Sequence, residues 1–447
     1  MNSLKDINQS PKLPPLGWIE GGFSRLNRQQ RITALQNWFG TEIGKELDLY
    51  LHSNPSIQKI FSELSENYLT NYFLPLGVIP NVVVNNKLYM VPVVTEESSV
   101  IAAASRAAKF WAGHGGFKTE LLGTTKKGQV HFLWTGESLF LYAIFSDLKT
   151  ALLEQTKPIT AAMQSRGGGI TSIELVDQSN DIPDYYFLDV SFETADSMGA
   201  NFINSCLEQM SVALSQFLEP FMAEGELEVI MSILSNYTPE SAVRCSVECS
   251  VDELKLLSGS YSPSDFARRF QLAVQIANCN ISRAVTHNKG IFNGVDAVLL
   301  ATGNDWRAAE AAGHSYAAKD GRYKSLSEVE IKDGIFTYSM TIPLAIGVVG
   351  GLTNLHPLAR FCLKLLGEPS SGELMQITAA VGMANNLSAI SSLVTSGIQR
   401  GHMKMHLSNI LNQLNASEQE NQKVVDYFQN RTVSYSGVEN YLKELRS

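Results

Sequence analysis

The sequence predicts an α+β protein in which a compact, helix-backed sheet is inserted into a larger domain of mixed helices and strands. Three observations carry that expectation. Strand-like and helical segments alternate through the middle third of the chain in a β-α-β-α pattern. The flanking thirds read differently, with polar-faced helices, one hairpin signal and a long helical C-terminal region. Finally, 447 residues with 44% hydrophobic and 18% charged content suffice for two or three domains with substantial cores.

Taken in order, residues from about Gly21 to Leu69 read as helical and end in Glu66-Asn67-Tyr68-Leu69. Leu74 to Val94 is rich in Val, Leu and Pro, and Asn85-Asn86 supplies a hairpin turn between two strands. Glu96-Glu97-Ser98-Ser99 opens an alanine-rich helix over Val100 to Trp111, where acidic residues suit the helix dipole. Gly113 to Gly116 breaks the chain. Val130 to Ile144 and Ile170 to Glu193 read as strands around a helix at Lys149 to Gln164, and Gly167-Gly168-Gly169 marks a sharp turn. Ser197 to Asn201 leads into a helix through about Met222. Strands are expected over Val229 to Glu253 and a helix over Ser264 to Ile281. From Ile377 the chain reads as helical, interrupted by Gly397 and Gly401. The polar stretch from Glu418 to Ser447 is expected to be a mobile terminal element.

Several function classes recede on composition. A net charge of -9 argues against a nucleic-acid binder. The first residues lack an apolar core, so no secretory signal is expected. The longest apolar run, Ile342 to Leu352, is broken by Pro343, Gly347, Gly350 and Gly351, so no membrane span is expected. The five cysteines are scattered, and the close pair Cys245 and Cys249 has no second pair to complete a zinc pattern. Reduced thiols, a metal-free protein and a cytoplasmic location are the resulting expectations. No Rossmann fingerprint, phosphate-binding P-loop or nucleophile elbow occurs.

Two neighbouring segments hold the densest polar chemistry: Thr286 to Gly294, with Lys289, and Ala301 to Trp306, with Asp305. A lysine close to a carboxylate keeps its charge under cover and stabilises a developing oxyanion. The structural alternative is a surface lysine and an aspartate capping the helix that starts at Trp306. The turn Met198-Gly199-Ala200-Asn201 could offer backbone N–H groups to an anion, or be a tight turn with Asp196 as a cap. His402 and His406 share a helix face, but no glutamate stands between them as a zinc protease needs. A single histidine after a glycine hinge, acting as a general acid, is the sharper reading of His402. Glu97, Lys289, Asp305 and His402 thus form a possible acid–base set, though spacing alone does not bring them together.

At this point the chain resembles the class II 3-hydroxy-3-methylglutaryl-coenzyme A (HMG-CoA) reductases. The matching segments are Glu66 to Leu69 with Leu74 to Gly77, Val94 to Val100, Asp196 to Asn201, Arg283 to Gly294 and Ala301 to Tyr316. Gly350 to Leu352 with His356-Pro357 follows, and then Gly397 to Met403. The resemblance implies a large HMG-CoA-binding and dimerisation domain at residues 1–122 and 240–395. A small non-Rossmann α+β dinucleotide-binding domain at 123–239 and a C-terminal helical flap at 396–447 complete the implied architecture.

It also implies roles. Lys289 would stabilise the oxyanion, held by Asp305; Glu97 would protonate the reduced aldehyde; His402 would protonate the departing CoA thiolate. Ser99 and Arg283 would bind the carboxylate and hydroxyl end of the substrate, Asn293 would join the polar network, and Arg25 would approach a CoA phosphate. Asp196, Met198, Gly199, Ala200 and Asn201 would contact the dinucleotide. Thr160 falls where some NADH-using relatives place an acidic residue for the ribose, with Lys157 and Arg166 nearby. A missing carboxylate removes repulsion of a 2′-phosphate, which leans the cofactor from NADH toward NADPH. Ser98 departs from the proline common after the paired glutamates. The implied partners are HMG-CoA or mevalonate and CoA, with no nucleic acid or membrane, in a homodimer or a higher oligomer built from dimers whose active site lies at the subunit interface.

That chemistry is coherent. Turning a thioester into an alcohol takes two hydride transfers, and oxyanion stabilisation by one donor is worth about 2.7–4 kcal/mol. Thiolate departure suits an acid that titrates near neutrality, such as His402. Two other readings compete: catabolic oxidation of mevalonate with NAD and CoA, and a non-catalytic CoA-ester binding protein. Against the latter, all four catalytic positions keep competent side chains.

Overall fold

The computed structural model describes residues 22–39, 42–395, 397, 407–408, 410–428, 431 and 433–446. Three short helices, α1 (Arg28–Phe39), α2 (Ile43–Asp48) and α3 (Pro55–Glu63), lead into a hairpin of β1 (Leu76–Val84) and β2 (Lys87–Val94). Asn85 and Asn86 both have positive φ, 47° and 66°. A two-residue turn of that hand matches the twist of the strands, and asparagine tolerates it. The alanine-rich α4 (Ser98–Ala112) follows.

Two antiparallel four-stranded sheets organise the rest. The first, in the order β3-β8-β10-β9, joins β3 (Lys118–Leu121) to β8 (Ala242–Ser250), β9 (Ser327–Lys332) and β10 (Ile335–Pro343). The second, in the order β5-β6-β4-β7, comprises β4 (Lys126–Trp134), β5 (Gly169–Asp177), β6 (Tyr185–Glu193) and β7 (Leu227–Ser235). Helices α5 (Ser138–Gln164) and α6 (Ala200–Leu218) back the second sheet, and their buried residues form one apolar cluster with Val130, Phe132, Leu188 and Val190. A separate, larger cluster unites the hairpin, the first sheet and helices α4, α7 (Pro263–Cys279), α8 (Ile281–Thr302), α9 (Trp306–Ala317) and α12 (Ser371–Val394). Between β10 and α12 lie α10 (Gly351–Leu355) and α11 (Pro357–Leu365).

The structure departs from the sequence reading in three places. Residues 138–144 open helix α5 instead of extending a strand. Their apolar positions follow a helical stripe through Leu141, Leu148 and Leu152, all buried. Thr286 to Gly294 lies within the 22-residue α8, where two glycines and two asparagines lower helix propensity and masked the pattern. The polar tail holds two helices, Glu418–Phe428 and Tyr435–Arg446, whose Val424, Phe428, Val438 and Leu442 share a small apolar cluster with Leu407, Ile410 and Leu411.

At the centre of the large cluster, α12 is buried on nearly every side. It is long and apolar enough to cross a membrane by composition, but 83% of its most apolar window is buried inside the protein, which is the signature of a core helix. Its closest partner is α8, and glycines make that approach. A Cβ on Gly294 would lie 2.6 Å from the main-chain oxygen of Val381, and one on Gly382 would lie 2.8 Å from Val295 Cγ2. Helix propensity alone favours alanine over glycine by about 1 kcal/mol, whereas overpacking a filled core costs about 1–3 kcal/mol. Because the obstacle at Gly294 is backbone, packing should win. Gly294→Ala is expected to lower the urea midpoint, and a raised midpoint would refute the close-packing account.

Candidate active site

Where α4, α8 and α12 meet, a cavity of about 430 Å³ is lined by Glu97, Ser99, Arg106, Arg283, Lys289 and Asn293, among others. Local structure explains how each arrives. Glu97 sits in extended backbone as the residue capping α4, its N–H donating to Thr95 Oγ1 at 3.1 Å. Its carboxylate accepts the hydroxyl of Ser99. Arg283 stands on the first turn of α8, where Asn280 Oδ1 accepts the Arg283 N–H at 2.9 Å. Burial lowers the pKa of that guanidinium. Lys289 and Asn293 follow at helical spacing on one face.

The neighbours of Lys289 serve the fold. His287 is 1% exposed and its Nε2 lies 2.7 Å from Ser327 Oγ. Asn288 donates to Tyr323 Oη and the Lys324 carbonyl and accepts from the Leu326 N–H. Burial first, and the Arg283 charge second, hold the His287 pKa down at about 3, so the ring is neutral at ordinary pH. Farther along α8, burial and the charge of Glu310 raise the pKa of Asp296, with Lys289 opposing. Asp296, beside Glu310, therefore favours keeping its proton.

Asp305 stands elsewhere. It caps α9, accepting the N–H groups of Arg307 and Ala308 at 3.1 and 3.2 Å, as the structural alternative anticipated. Helix α8 runs on from Lys289 to Thr302, and at about 1.5 Å per residue that rod puts roughly 20 Å between Lys289 and the start of the α8–α9 turn. A lysine side chain, tilted toward the helix N-terminus, does not span it. Lys289 and Asp305 are thus not partners within one chain.

Asp305 instead adjoins the glycine turn before α6. The neighbouring Asn304 Oδ1 accepts the Gly347 N–H at 2.9 Å, and a Cβ on Gly347 would fall 2.3 Å from Met198 N. Ala308, Met198 and Ala200 line one small void. Gly199 starts α6 in the left-handed region at φ 85°, with no side-chain cap, and a Cβ there would meet Thr194 at 2.4 Å. Asp196 does not cap α6; its carboxylate accepts the Ser371 N–H at 2.8 Å and ties the turn to α12. The uncapped N–H groups of this 19-residue helix, over a turn only glycine fits, suit a phosphate-bearing cofactor.

The remaining expected residues are dispersed. Thr160 is 2% exposed, turned into the small core with its hydroxyl on the Lys157 carbonyl, so it does not face a ribose. Arg25 ends a short exposed turn of 3₁₀-helix, and Asn201 lies in the first turn of α6. His402 and His406 lie outside the described residues. Sequence reasoning missed Arg106 and the Asp296–Glu310 pair. Arg106 carried a usable signal, since it falls seven residues after Ser99 on the same face of α4.

A helix-walled cavity carrying charged groups and, apart from it in the same chain, a glycine turn suited to a phosphate-bearing cofactor are compatible with an oxidoreductase that lacks a Rossmann fold. The family model for hydroxymethylglutaryl-coenzyme A reductase matches residues 27–407. The 3-hydroxy-3-methylglutaryl-coenzyme A reductase of Archaeoglobus fulgidus is 32% identical over 407 residues, covering 91% of this chain and 89% of that protein. A probable reductase of the same name from Borreliella burgdorferi is 32% identical over 84% of each chain. Among solved structures, the reductase of Streptococcus pneumoniae superposes with a TM-score of 0.70 at 33% identity, covering 96% of this chain and all of that one. A class II enzyme from the same organism, bound to NADPH in open conformations, gives 0.69 at 33% identity over 84% of this chain. The chain belongs to the hydroxymethylglutaryl-coenzyme A reductase family, in its class II branch, and is an NAD(P)-dependent oxidoreductase.

His287 makes a stability prediction. Its folded pKa is depressed to about 3, so the unfolded chain takes up a proton first as pH falls. The contribution is fully present above about pH 6.5 and is lost progressively toward pH 3. Urea unfolding of His287→Gln should therefore depend less steeply on pH across that window than the parent protein; parallel curves would contradict the assignment.

Proposed function

We propose that the protein reduces HMG-CoA to mevalonate and free CoA in two hydride transfers, as a cytoplasmic homodimer of the mevalonate pathway. The observation that carries this is the joint presence of Glu97, Ser99, Arg283, Lys289 and Asn293 around one cavity. NADPH, bound at the α6 turn, would supply the hydride for each reduction. The NADPH-bound class II relative supports that choice of cofactor.

The chain's own residues do the rest. Arg283 and Ser99 hold the carboxylate and hydroxyl end of the substrate. As the thioester carbonyl carbon gains a hydride, the Lys289 ammonium stabilises the new oxyanion as a fixed cation. Collapse of that oxyanion re-forms the carbonyl and breaks the carbon–sulfur bond, and His402 protonates the leaving thiolate. The aldehyde remains; when its carbonyl is reduced, Lys289 again faces the oxygen and Glu97 delivers the proton that makes the alcohol.

The separation of Lys289 from Asp305 within one chain favours a dimer in which each active centre combines Lys289 of one subunit with Asp305 of the other. Tyr72, Phe73 and Leu358, which line one cleft, are exposed apolar side chains available for self-association.

Two experiments test the reading. Lys289→Ala should abolish HMG-CoA reduction while HMG-CoA still binds; near-normal turnover would sink it. Mixing inactive Lys289→Ala with inactive Asp305→Asn should, after subunit exchange, restore activity to about a quarter of the parent level. Half of the dimers would then be hybrids, each with one intact centre. Continued inactivity of a demonstrably exchanged mixture would place both residues in the same subunit's centre.

A further inference from the structure

The walls of the cavity fix which of its residues share a level. Along α12, Asn385 Nδ2 donates to the Val100 carbonyl at 2.9 Å and Ser388 Oγ to the Ala103 carbonyl at 2.6 Å. Arg106 Nη2 donates to the Ser388 carbonyl at 3.3 Å and to Ser392 Oγ at 3.1 Å. Helices α4 and α12 therefore run parallel, with Arg106 beside the segment Ser388 to Ser392. Against α8 the order reverses. Asn386 Nδ2 donates to the His287 carbonyl at 2.7 Å, whereas Gly382 packs on Ile291 and Val295. One turn before His287, on the same stripe, stands Arg283. It falls beside Ile390, one turn after Asn386.

Arg106 and Arg283 thus meet at one level of the cavity, on walls from different helices. Glu97, Ser99 and Lys289 gather toward the level of Asn385 and Asn386. On α8 the two ends are six residues apart, about 9 Å at 1.5 Å per residue. The four carbon–carbon bonds of a five-carbon diacid span about 5 Å. A hydrogen bond of roughly 3 Å at each end fits such a chain between the lysine and the guanidinium pair. The charges agree: Arg106, Arg283 and Lys289 face the cavity with Glu97 as the acidic lining residue.

We propose that Arg106 is a substrate-binding residue that, with Arg283, clamps the free carboxylate of the acyl group, whose main chain has five carbons. The inference rests on the proposed reaction only for the identity of that acyl group. Nη2 makes both bonds to α12, which locks the orientation of the guanidinium, while Nε and Nη1 take part in neither bond and remain for the ligand. A planar fork held this way suits a carboxylate, and a single carboxylate between two guanidinia loses little solvation that is not replaced. The tether to Ser388 and Ser392 also couples carboxylate binding to α12, which carries the approach to α8.

The test uses the intact dimer and two probes, free 3-hydroxy-3-methylglutarate and its monoamide, titrated calorimetrically, with HMG-CoA kinetics alongside. A lost charge-assisted hydrogen bond is worth about 1.5–3 kcal/mol. Arg106→Gln is therefore expected to weaken the diacid and raise the KM for HMG-CoA by about tenfold or more, with a smaller change in kcat and unchanged NADPH affinity. The preference for diacid over monoamide should shrink in the same variant. If Arg106→Gln does not fold, Arg106→Lys, which keeps the charge and loses the fork, should show the same trend at smaller size. Unchanged diacid affinity in a folded variant would overturn the clamp, as would equal losses of diacid, monoamide and NADPH, which would mark a structural role. Absence of HMG-CoA turnover in the parent protein, with diacid binding still dependent on Arg106, would sink the proposed reaction and leave the clamp standing.

Discussion

The approach of α8 to α12 is the contact on which the rest of the site depends. Glycines at 290, 294 and 382 let two long helices pack with main chain against side chain and main chain, closer than side chains on both would permit. That contact sets the depth at which Lys289 and Asn293 emerge on the cavity side. The same packing buries the opposite polar groups of α8. His287 Nε2 pairs with the Ser327 hydroxyl and Asn288 pairs with Tyr323, Lys324 and Leu326 in the core, and Asn386 of α12 binds the His287 carbonyl while accepting the Tyr338 hydroxyl. A buried polar network of this kind specifies one helix register, because any slip leaves several of its members unpaired.

A second constraint follows from the stiffness of α8. A continuous helix holds its ends apart, so Lys289 at its ninth position and Asp305 beyond its last turn do not approach one another within one chain. One chain consequently holds two separated polar regions. The first, on α4, α8 and α12, carries the cations and the glutamate. The second, around the α6 turn, Asn304 and Gly347, carries backbone N–H groups and Asp305. The tie from Asp196 to the start of α12 links the second region to the same core helix that shapes the first.

Much of this was legible in residue order. The hairpin at Asn85-Asn86, helix α4 after Glu97, the α6 turn and the capping of α9 by Asp305 all follow from local steric and hydrogen-bonding preferences. The misreadings share a different cause. Helix α8 was hidden because Gly290 and Gly294 serve a neighbour distant in sequence, so their low helix propensity conveys nothing about local structure. Residues 138–144 read as a strand because short apolar runs look alike in both periods until burial selects one. The tail looked featureless because its few apolar residues become a cluster only when its helices pair.

The sequence by itself determined the chemistry on offer: a lysine, a glutamate, an arginine and a serine, a glycine turn before a helix, and motifs that place the chain among class II reductases. Only the tertiary structure decided which of them share a space. It put Arg106 opposite Arg283, joined Asp296 to Glu310, and moved Asp305 away from Lys289. The physical reason is that helix rise and interhelical packing set distances between residues, and these depend on partners far along the chain. Side-chain identity and short-range spacing are local properties, and they reach no farther than the element that carries them.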